Sequence, residues 1–185
     1  MDTVEKAFSK VRREDFVHES LRGQVNIDAP LPIGFGQTIS QPSTVRMMLE
    51  WLEPQPGDRV LDVGSGSGWT SALLSQIVGS RGKVYAVERI PELVELGRSN
   101  CLKAGAQNVQ FFQAGQSYGL PKHSPYDRIL VSAAAQKLPE ELLGQLKVGG
   151  KLVIPVIDDV LEITKNKGGD YETKTHPGFM FVPLV

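Results

Sequence analysis

The chain opens on an amphipathic pattern. Val4, Phe8, Val11 and Phe16 recur near helical spacing among charged residues, which predicts a short helical arm over residues 2–22. Residues 23–43 break that pattern. Ala29-Pro30-Leu31-Pro32-Ile33-Gly34-Phe35-Gly36 carries two prolines and two glycines, so an irregular loop is expected, and an ordered loop of this length is more often functional than idle. With Ser43 read as a helix cap, Val45, Met48, Leu49 and Leu52 mark one apolar helical face to about Glu53, and Pro54, Pro56 and Gly57 end it. Beyond Arg59, short apolar runs alternate with helical ones. Strands are predicted at 60–63, 83–87, 109–113, 127–132 and 151–156, and helices at 70–78, 91–104 (opened by Pro91 in its first turn) and 139–146. That alternation predicts an open α/β fold, a doubly wound, mostly parallel sheet with helices on both faces. Two last runs, 160–164 and 179–184, flank the polar turn 165–170 and read as an antiparallel hairpin at the sheet edge, which makes seven strands. The 185 residues are enough for one domain, divided into an arm and lid at 1–57 and a sheet at 58–185.

Charge narrows the partners. Twenty basic residues nearly balance twenty-one acidic ones, which leaves no large field to attract a phosphate backbone, so no nucleic acid partner is expected. A single cysteine, Cys101, cannot form a disulfide within the chain and fits a reducing compartment. Residues 1–10 are polar, without the apolar core of a signal peptide, and no stretch approaches the ~20 apolar residues of a membrane span. A cytoplasmic monomer with no membrane contact is the expectation.

The strongest local signal is Val60-Leu61-Asp62-Val63-Gly64-Ser65-Gly66-Ser67-Gly68: a buried strand, a turn with glycines at alternate positions, then a helix. Glycine permits positive φ and close approach of the backbone to a ligand, and the helix start beyond presents free N–H groups. The spacing is G-x-G-x-G. It is neither the G-x-G-x-x-G of dinucleotide sites nor a P-loop. Such a turn suits the amino-acid part of S-adenosylmethionine, with Asp62 meeting its ammonium group directly or through water. Glu88, just past the second predicted strand, stands where a carboxylate accepts from both ribose hydroxyls and repels a 2′-phosphate. A ligand-free structural turn and an ordinary surface charge are the plainer alternatives for the two features.

With those segments in hand, the chain resembles the protein-L-isoaspartate O-methyltransferase family. The most specific string is Pro30-Leu31-Pro32-Ile33-Gly34-Phe35-Gly36-Gln37-Thr38-Ile39-Ser40-Gln41-Pro42. Residues 61–68, Tyr126-Asp127-Arg128-Ile129-Leu130-Val131 with Ala133-Ala134-Ala135, and Gln145-Leu146-Lys147 with Gly149-Gly150 also match. The resemblance runs from about Val4 to Val156 and returns at Phe181-Val182-Pro183-Leu184. It implies a Rossmann-like fold and methylation of the α-carboxylate of L-isoaspartyl residues in damaged peptides and proteins. The product cofactor would be S-adenosyl-L-homocysteine, and the ester would collapse to a succinimide that reopens partly to aspartate. It also implies that residues 37–40 cover the cofactor, with Ser40 at the reacting carboxylate and Thr38 and Ile39 beside it. Gly64, Ser65 and Gly66 would contact the methionine part and Glu88 the ribose, with Arg89, Gly115 and Gln116 completing the cofactor set.

The chemistry agrees with this residue set. A carboxylate of pKa about 3.5 is already ionised at neutral pH and needs no general base to attack a sulfonium methyl. The site has only to align the reactants and exclude water, and alignment alone is worth ~7–11 kcal/mol. A hydroxyl at Ser40 or Thr38 orients the carboxylate without removing a proton. Residues 132–135 read Ser-Ala-Ala-Ala, not the Asp/Asn-Pro-Pro-aromatic motif of amino methyltransferases.

Three positions depart from the family. Where the family usually has Gly-Asp-Gly, whose aspartate bonds the adenine amino group, the chain has Ala114-Gly115-Gln116. Ser43 stands where an aromatic or histidine is usual. Residues 157–160 follow Pro155-Val156 without the usual glycine-rich loop that helps wall the substrate cleft. These departures keep open a rival reading, a homologue that binds the cofactor yet lacks isoaspartyl repair or methylates a different carboxylate. His18, His123 and His176 show no metal-ligand spacing. Cys101 reads as a structural thiol, Trp51 and Trp69 as packing residues (Trp69 within reach of the cofactor), Arg12-Arg13 as a solvated face, and Asp158-Asp159 as a turn.

Overall fold

In the computed structural model, residues 3–185 are described; residue 2, where the predicted arm begins, lies outside them. Helix α1 (Thr3–Lys10) buries Val4 and Ala7. The arm then leaves regular helix for two 3₁₀ turns, Arg13–Phe16 and Glu19–Gln24. Residues 23–43 are not an irregular loop throughout. Strands β1 (Leu31–Gly34) and β2 (Gln37–Ile39) pair antiparallel, with Leu31 opposite Ile39 and Gly34 opposite Gln37. The two connecting residues, Phe35 (φ 56°) and Gly36 (φ 71°), both have positive φ, as a type I′ turn requires.

Helix α2 (Pro42–Leu52) places Pro42 in its first turn, one residue before the predicted cap Ser43. The cap comes from the preceding strap instead: Asp28 Oδ1 accepts from the Ser43 N–H at 2.9 Å. Strand β3 (Arg59–Val63), helix α3 (Trp69–Val78), strand β4 (Lys83–Glu88), helix α4 (Pro91–Lys103) and strand β5 (Val109–Gln113) follow as predicted to within a residue or two. Strand β6 (Tyr126–Val131), the short helix α5 (Glu140–Gln145), strand β7 (Leu146–Val156), strand β8 (Asp159–Lys165) and strand β9 (Tyr171–Pro177) complete the order.

The main sheet has seven strands in the order β5-β4-β3-β6-β7-β8-β9. The first five are parallel and the last two antiparallel. The predicted edge hairpin is present, but its second strand is β9. Residues 179–184 are not a strand of the sheet; they double back to make a single parallel bridge, Pro183 to Ala134. The exposure pattern explains the difference. Strand β9 is polar and solvated as an edge strand should be, whereas the apolar residues Phe179, Phe181 and Leu184 are drawn off the edge onto the hydrophobic clusters.

Alternating strand positions feed two cores. Val60, Val84, Ala86, Leu130 and Val153 face α1 to α4; Leu61, Val63, Tyr85, Ile129 and Leu152 face α5 and the 120s segment. The helical cover is unequal. Four helices lie on the first face, while the second is closed by the six-residue α5 and by a ring cluster of Tyr85, Phe112, His123 and Tyr126. The chain builds β3, β4 and β5 outward in one direction and then returns to lay β6 on the other side of β3. The carboxyl ends of β3 and β6 therefore meet at the switch point where open α/β sheets bind ligands.

Candidate active site

At that switch point a cleft of about 240 Å³ opens between the sheet and the β1–β2 hairpin. Its floor is the glycine loop. Gly64 N and Ser65 N donate to Val87 O, which ties the loop to β4, and Ser132 N donates to Val63 O from the β6 side. Gly64, Gly66 and Gly68 all have positive φ, but they serve different ends. A Cβ on Gly66 would stand 3.0 Å from Ile33 Cδ1 of the hairpin, so Gly66 lets lid and floor close on each other. A Cβ on Gly68 would press on Gly97 O and Cys101 Sγ, so Gly68 serves the packing of the loop on α4. Asn100 Nδ2 donating to Ser67 O and Cys101 Sγ donating to Gly68 O fix that contact. Burial pushes the Cys101 thiol up to about 12, in keeping with a structural role.

Glu88 lines the cleft at the end of β4, only 8% exposed. Its Oε2 accepts from Gly66 N at 3.0 Å and its Oε1 from Ile90 N at 3.0 Å. Two backbone donors therefore hold the carboxylate in one orientation, and each oxygen keeps a lone pair for a ligand hydroxyl. Ser65 also lines the cleft, and its buried hydroxyl has no partner. Trp69 forms part of the wall, with its indole N–H likewise buried and unpartnered. Buried polar atoms left open on a concave wall are what a polar ligand would satisfy.

The hairpin and the turn after it bring Thr38, Ile39 and Ser40 to the cleft. Arg89, Gly115 and Gln116 line it as well, the last two on an exposed segment after β5 where a Cβ on Gly115 would meet nothing within 4 Å. Asp62 does not reach the cleft. It is fully buried beneath the loop, on the α3 face of the sheet, and accepts from Ser71 Oγ at 2.5 Å. Strand alternation turns Asp62 toward α3, so of the two expected routes to an ammonium group the direct one is not offered by this placement, while its Oδ1 has no partner among the described residues. Burial raises its carboxyl to about 7, with the nearby Glu88 charge adding to the rise and Ser71 opposing it.

Several lining residues were not singled out from the sequence. Ser132 and Ala133 belong because β6 ends at Val131, and Ser117 to Gly119 because the loop after β5 folds over the opening. Val182 to Val185 form a further wall. Leu184 N donates to Ala134 O and Ala134 N to Val182 O, so the tail reaches the cleft along the segment after β6. The connection after Pro155-Val156 is the tight turn expected, with Ile157 at φ 56°.

Arg13 was expected on a solvated face. It is 7% exposed, with its guanidinium beneath the strap that leads to the lid. Nothing in the local spacing marks it, because its partners are backbone carbonyls far along the chain. Among the described residues no group of three metal-ligating side chains occurs, and no helix is long and apolar enough to cross a membrane.

A parallel sheet with a ligand cleft at its switch point, a G-x-G-x-G turn and a carboxylate closing the next strand define the class: Rossmann-like, S-adenosylmethionine-dependent methyltransferases. Within that class the chain belongs to the protein-L-isoaspartate(D-aspartate) O-methyltransferase family, whose profile it matches over residues 1–185. It is 46% identical over 189 residues to the protein-L-isoaspartate O-methyltransferase of Pyrococcus horikoshii, covering all of this chain and 85% of that protein. A solved protein-L-isoaspartate O-methyltransferase superposes with a TM-score of 0.88 at 31% identity; all of this chain is covered, and it spans 62% of that one. A Plasmodium falciparum protein assigned to the same activity, solved in complex with S-adenosyl-L-homocysteine, gives a TM-score of 0.88 at 27% identity over 100% of this chain and 91% of that one.

The residues present fit that cofactor. The open hydroxyl of Ser65, the glycine backbone at Gly64 and Gly66 and the pre-oriented carboxylate of Glu88 lie on one cleft.

Proposed function

We infer that the protein methylates the α-carboxylate of L-isoaspartyl residues in damaged peptides and proteins. The observation that carries this reading is the meeting, on one cleft, of a donor-binding floor and a hydroxyl-bearing lid. When bound, S-adenosylmethionine supplies the methyl group as an electrophile. The chain supplies position. Gly64, Ser65 and Gly66 receive the methionine part and Glu88 the ribose hydroxyls, while Arg89, Gly115 and Gln116 border the adenosine. Ile39 closes over the donor from the lid.

Ser40 and Thr38 serve the acceptor. Among the described residues neither hydroxyl is hydrogen-bonded to a histidine or carboxylate that would remove its proton, and neither needs one, because the acceptor carboxylate is ionised at neutral pH. A hydroxyl donating to one carboxylate oxygen leaves the other free to attack and turns it toward the methyl. The ester carries methoxide, a far better leaving group than the oxide a carboxylate would have to expel, so the neighbouring backbone amide nitrogen attacks the ester carbonyl, the C–OCH3 bond breaks, and the amide proton leaves with methoxide as methanol while the succinimide closes. We take the enzyme to act as a cytoplasmic monomer.

The test is incubation with a labelled methyl donor and a pair of synthetic peptides that differ only in an isoaspartyl or aspartyl linkage. A base-labile methyl ester on the isoaspartyl peptide alone is expected. Equal labelling of both peptides, or of neither, would contradict the reading. Ser40→Ala should lower kcat for the isoaspartyl peptide by roughly ten- to a hundredfold, the worth of a hydrogen bond to a charged group. Calorimetry should show the affinity for S-adenosyl-L-homocysteine within about threefold of wild type; equal loss of both would remove Ser40 from the acceptor side.

A further inference from the structure

We propose that Arg13 is the positioning residue of the lid, holding the backbone at Ser40 where its hydroxyl can meet the acceptor. The proposal rests on the reading that Ser40 faces the acceptor carboxylate. Arg13 Nη1 donates to Val25 O at 2.9 Å and to Ile27 O at 3.2 Å; Nη2 donates to Ala29 O at 2.7 Å and to Ser40 O at 3.0 Å. Three of these carbonyls alternate along the strap before the hairpin, so the strap curls around the guanidinium. The fourth belongs to the lid residue itself. One side chain thus satisfies four backbone acceptors of a segment whose own ladder is only a short hairpin.

The same strap reaches the far side of the lid. Asp28 lies between two of the bonded carbonyls. Its Oδ1 accepts from Ser43 N at 2.9 Å and its Oδ2 from Gln41 Nε2 at 3.0 Å. The Ser40 end of residues 40–43 is therefore tied to Arg13 directly, and the Ser43 end to the strap that Arg13 holds. The guanidinium also stands 5.5 Å from the ring centroid of Trp69, a wall of the cleft, so the tether is referenced to the donor floor as well as to the lid. No carboxylate forms an ion pair with Arg13 among the described residues; the cation is committed to neutral carbonyls. Lysine cannot replace it. An ammonium is a compact point charge with three donors, whereas the planar fork reaches four acceptors at once.

Without the fork the lid would have to be ordered anew on each encounter with substrate, and the loss should fall on the acceptor side. The test uses the full chain with Arg13→Ala and Arg13→Lys, read by hydrogen exchange of the amides at 25–43, by kinetics on an isoaspartyl peptide and by calorimetry with S-adenosyl-L-homocysteine. In Arg13→Ala, exchange across 25–43 should speed up tenfold or more and kcat/KM should fall at least tenfold, while cofactor affinity moves less than threefold. Methylguanidinium at millimolar concentration should recover part of the activity of Arg13→Ala. Arg13→Lys keeps the charge and stem; should the alanine variant fail to fold, this variant decides, and it is expected to show the same fast exchange in the lid.

Exchange in the lid within twofold of wild type in a folded variant would overturn the proposal. So would an equal loss of cofactor affinity and kcat/KM, which would mark a general structural role. If wild-type protein transfers no methyl to the isoaspartyl peptide, the functional reading fails by itself, and the exchange measurement still decides whether Arg13 holds the lid.

Discussion

Single residues decide how tightly the cleft grips its donor. The resemblance to the family implies an aspartate, facing the adenine amino group, at the place where Gly115 stands. Its φ is not in the left-handed region, and a Cβ there meets nothing within 4 Å, so the backbone accepts a side chain without strain. Gly115→Asp is expected to tighten S-adenosyl-L-homocysteine binding by up to about tenfold, the worth of one added hydrogen bond, as measured by calorimetry. Unchanged or weaker binding would show that the segment after β5 does not face the adenine. At this scale the sequence was a good guide wherever local spacing carried the signal. The glycine loop, Glu88 and the 38–40 lid all line one cleft. It misled where position depends on a partner distant in sequence. Arg13 takes its role from carbonyls 12 to 27 residues away. Asp62 is turned inward by the pleat of β3, a placement its motif does not reveal.

At the scale of elements, the tail after β9 supplies one wall of the cleft. Trp51 of α2 stacks on His176 with ring centroids 3.8 Å apart and meets Phe179 edge-on at 5.8 Å. From that anchor the chain runs to Ala134, where Leu184 N donates to Ala134 O at 2.8 Å, and so to the cleft wall. Trp51→Ala removes both ring contacts, each worth ~0.5–1.5 kcal/mol. Exchange of the Leu184 amide should speed up about two- to tenfold while the amides of β3 and β6 keep their protection. Equal speeding throughout would mean that Trp51 serves the core at large. The tail was misread from sequence as a strand because its apolar residues fit the period of one. The polar segment Tyr171–Pro177, which pairs as the edge strand, has little apolar content to announce it. The hairpin at 31–39 was hidden for a related reason: two prolines and a Phe-Gly turn are weaker signals than Asn-Gly between alternating residues.

For the molecule as a whole, the buried and half-buried carboxylates set how stability follows pH. Burial alone would raise Asp127 and Glu162, but hydrogen bonds and charge from Lys147 and Lys151 win, and both carboxyls lie below their ordinary values. Their contribution is present above about pH 4 and is lost as pH falls through the lowered values. Asp62 acts in the opposite sense. Its folded value is about 7 against an ordinary 3.8, so between those limits the folded chain holds a proton that the unfolded chain has released. Stability should therefore decline as pH rises from about 4 to 7, by up to roughly 4 kcal/mol from this group, and level off above. Asp62→Asn keeps an acceptor for Ser71 and should flatten that limb in denaturant titrations of the cofactor-free protein. The same decline in both forms would show that another group is responsible. The mostly parallel seven-stranded sheet with helices on both faces was legible from the period of the apolar residues, whereas the strand order and the second strand of the edge hairpin were not. The unequal helical cover was not, since a six-residue helix and a ring cluster leave no 3.6-residue pattern to read.

The central claim is that Glu88 and the glycine loop hold an adenosyl donor beneath the lid. Calorimetric titration of S-adenosyl-L-homocysteine into wild-type protein and Glu88→Gln tests it directly. The glutamine keeps the shape but loses the charge and one of the two acceptor oxygens. Saturable 1:1 binding by wild type is predicted, weakened about ten- to a hundredfold in the variant, as expected for hydrogen bonds to a charged group. No heat from wild type at millimolar ligand, or equal affinity in the two proteins, would contradict it.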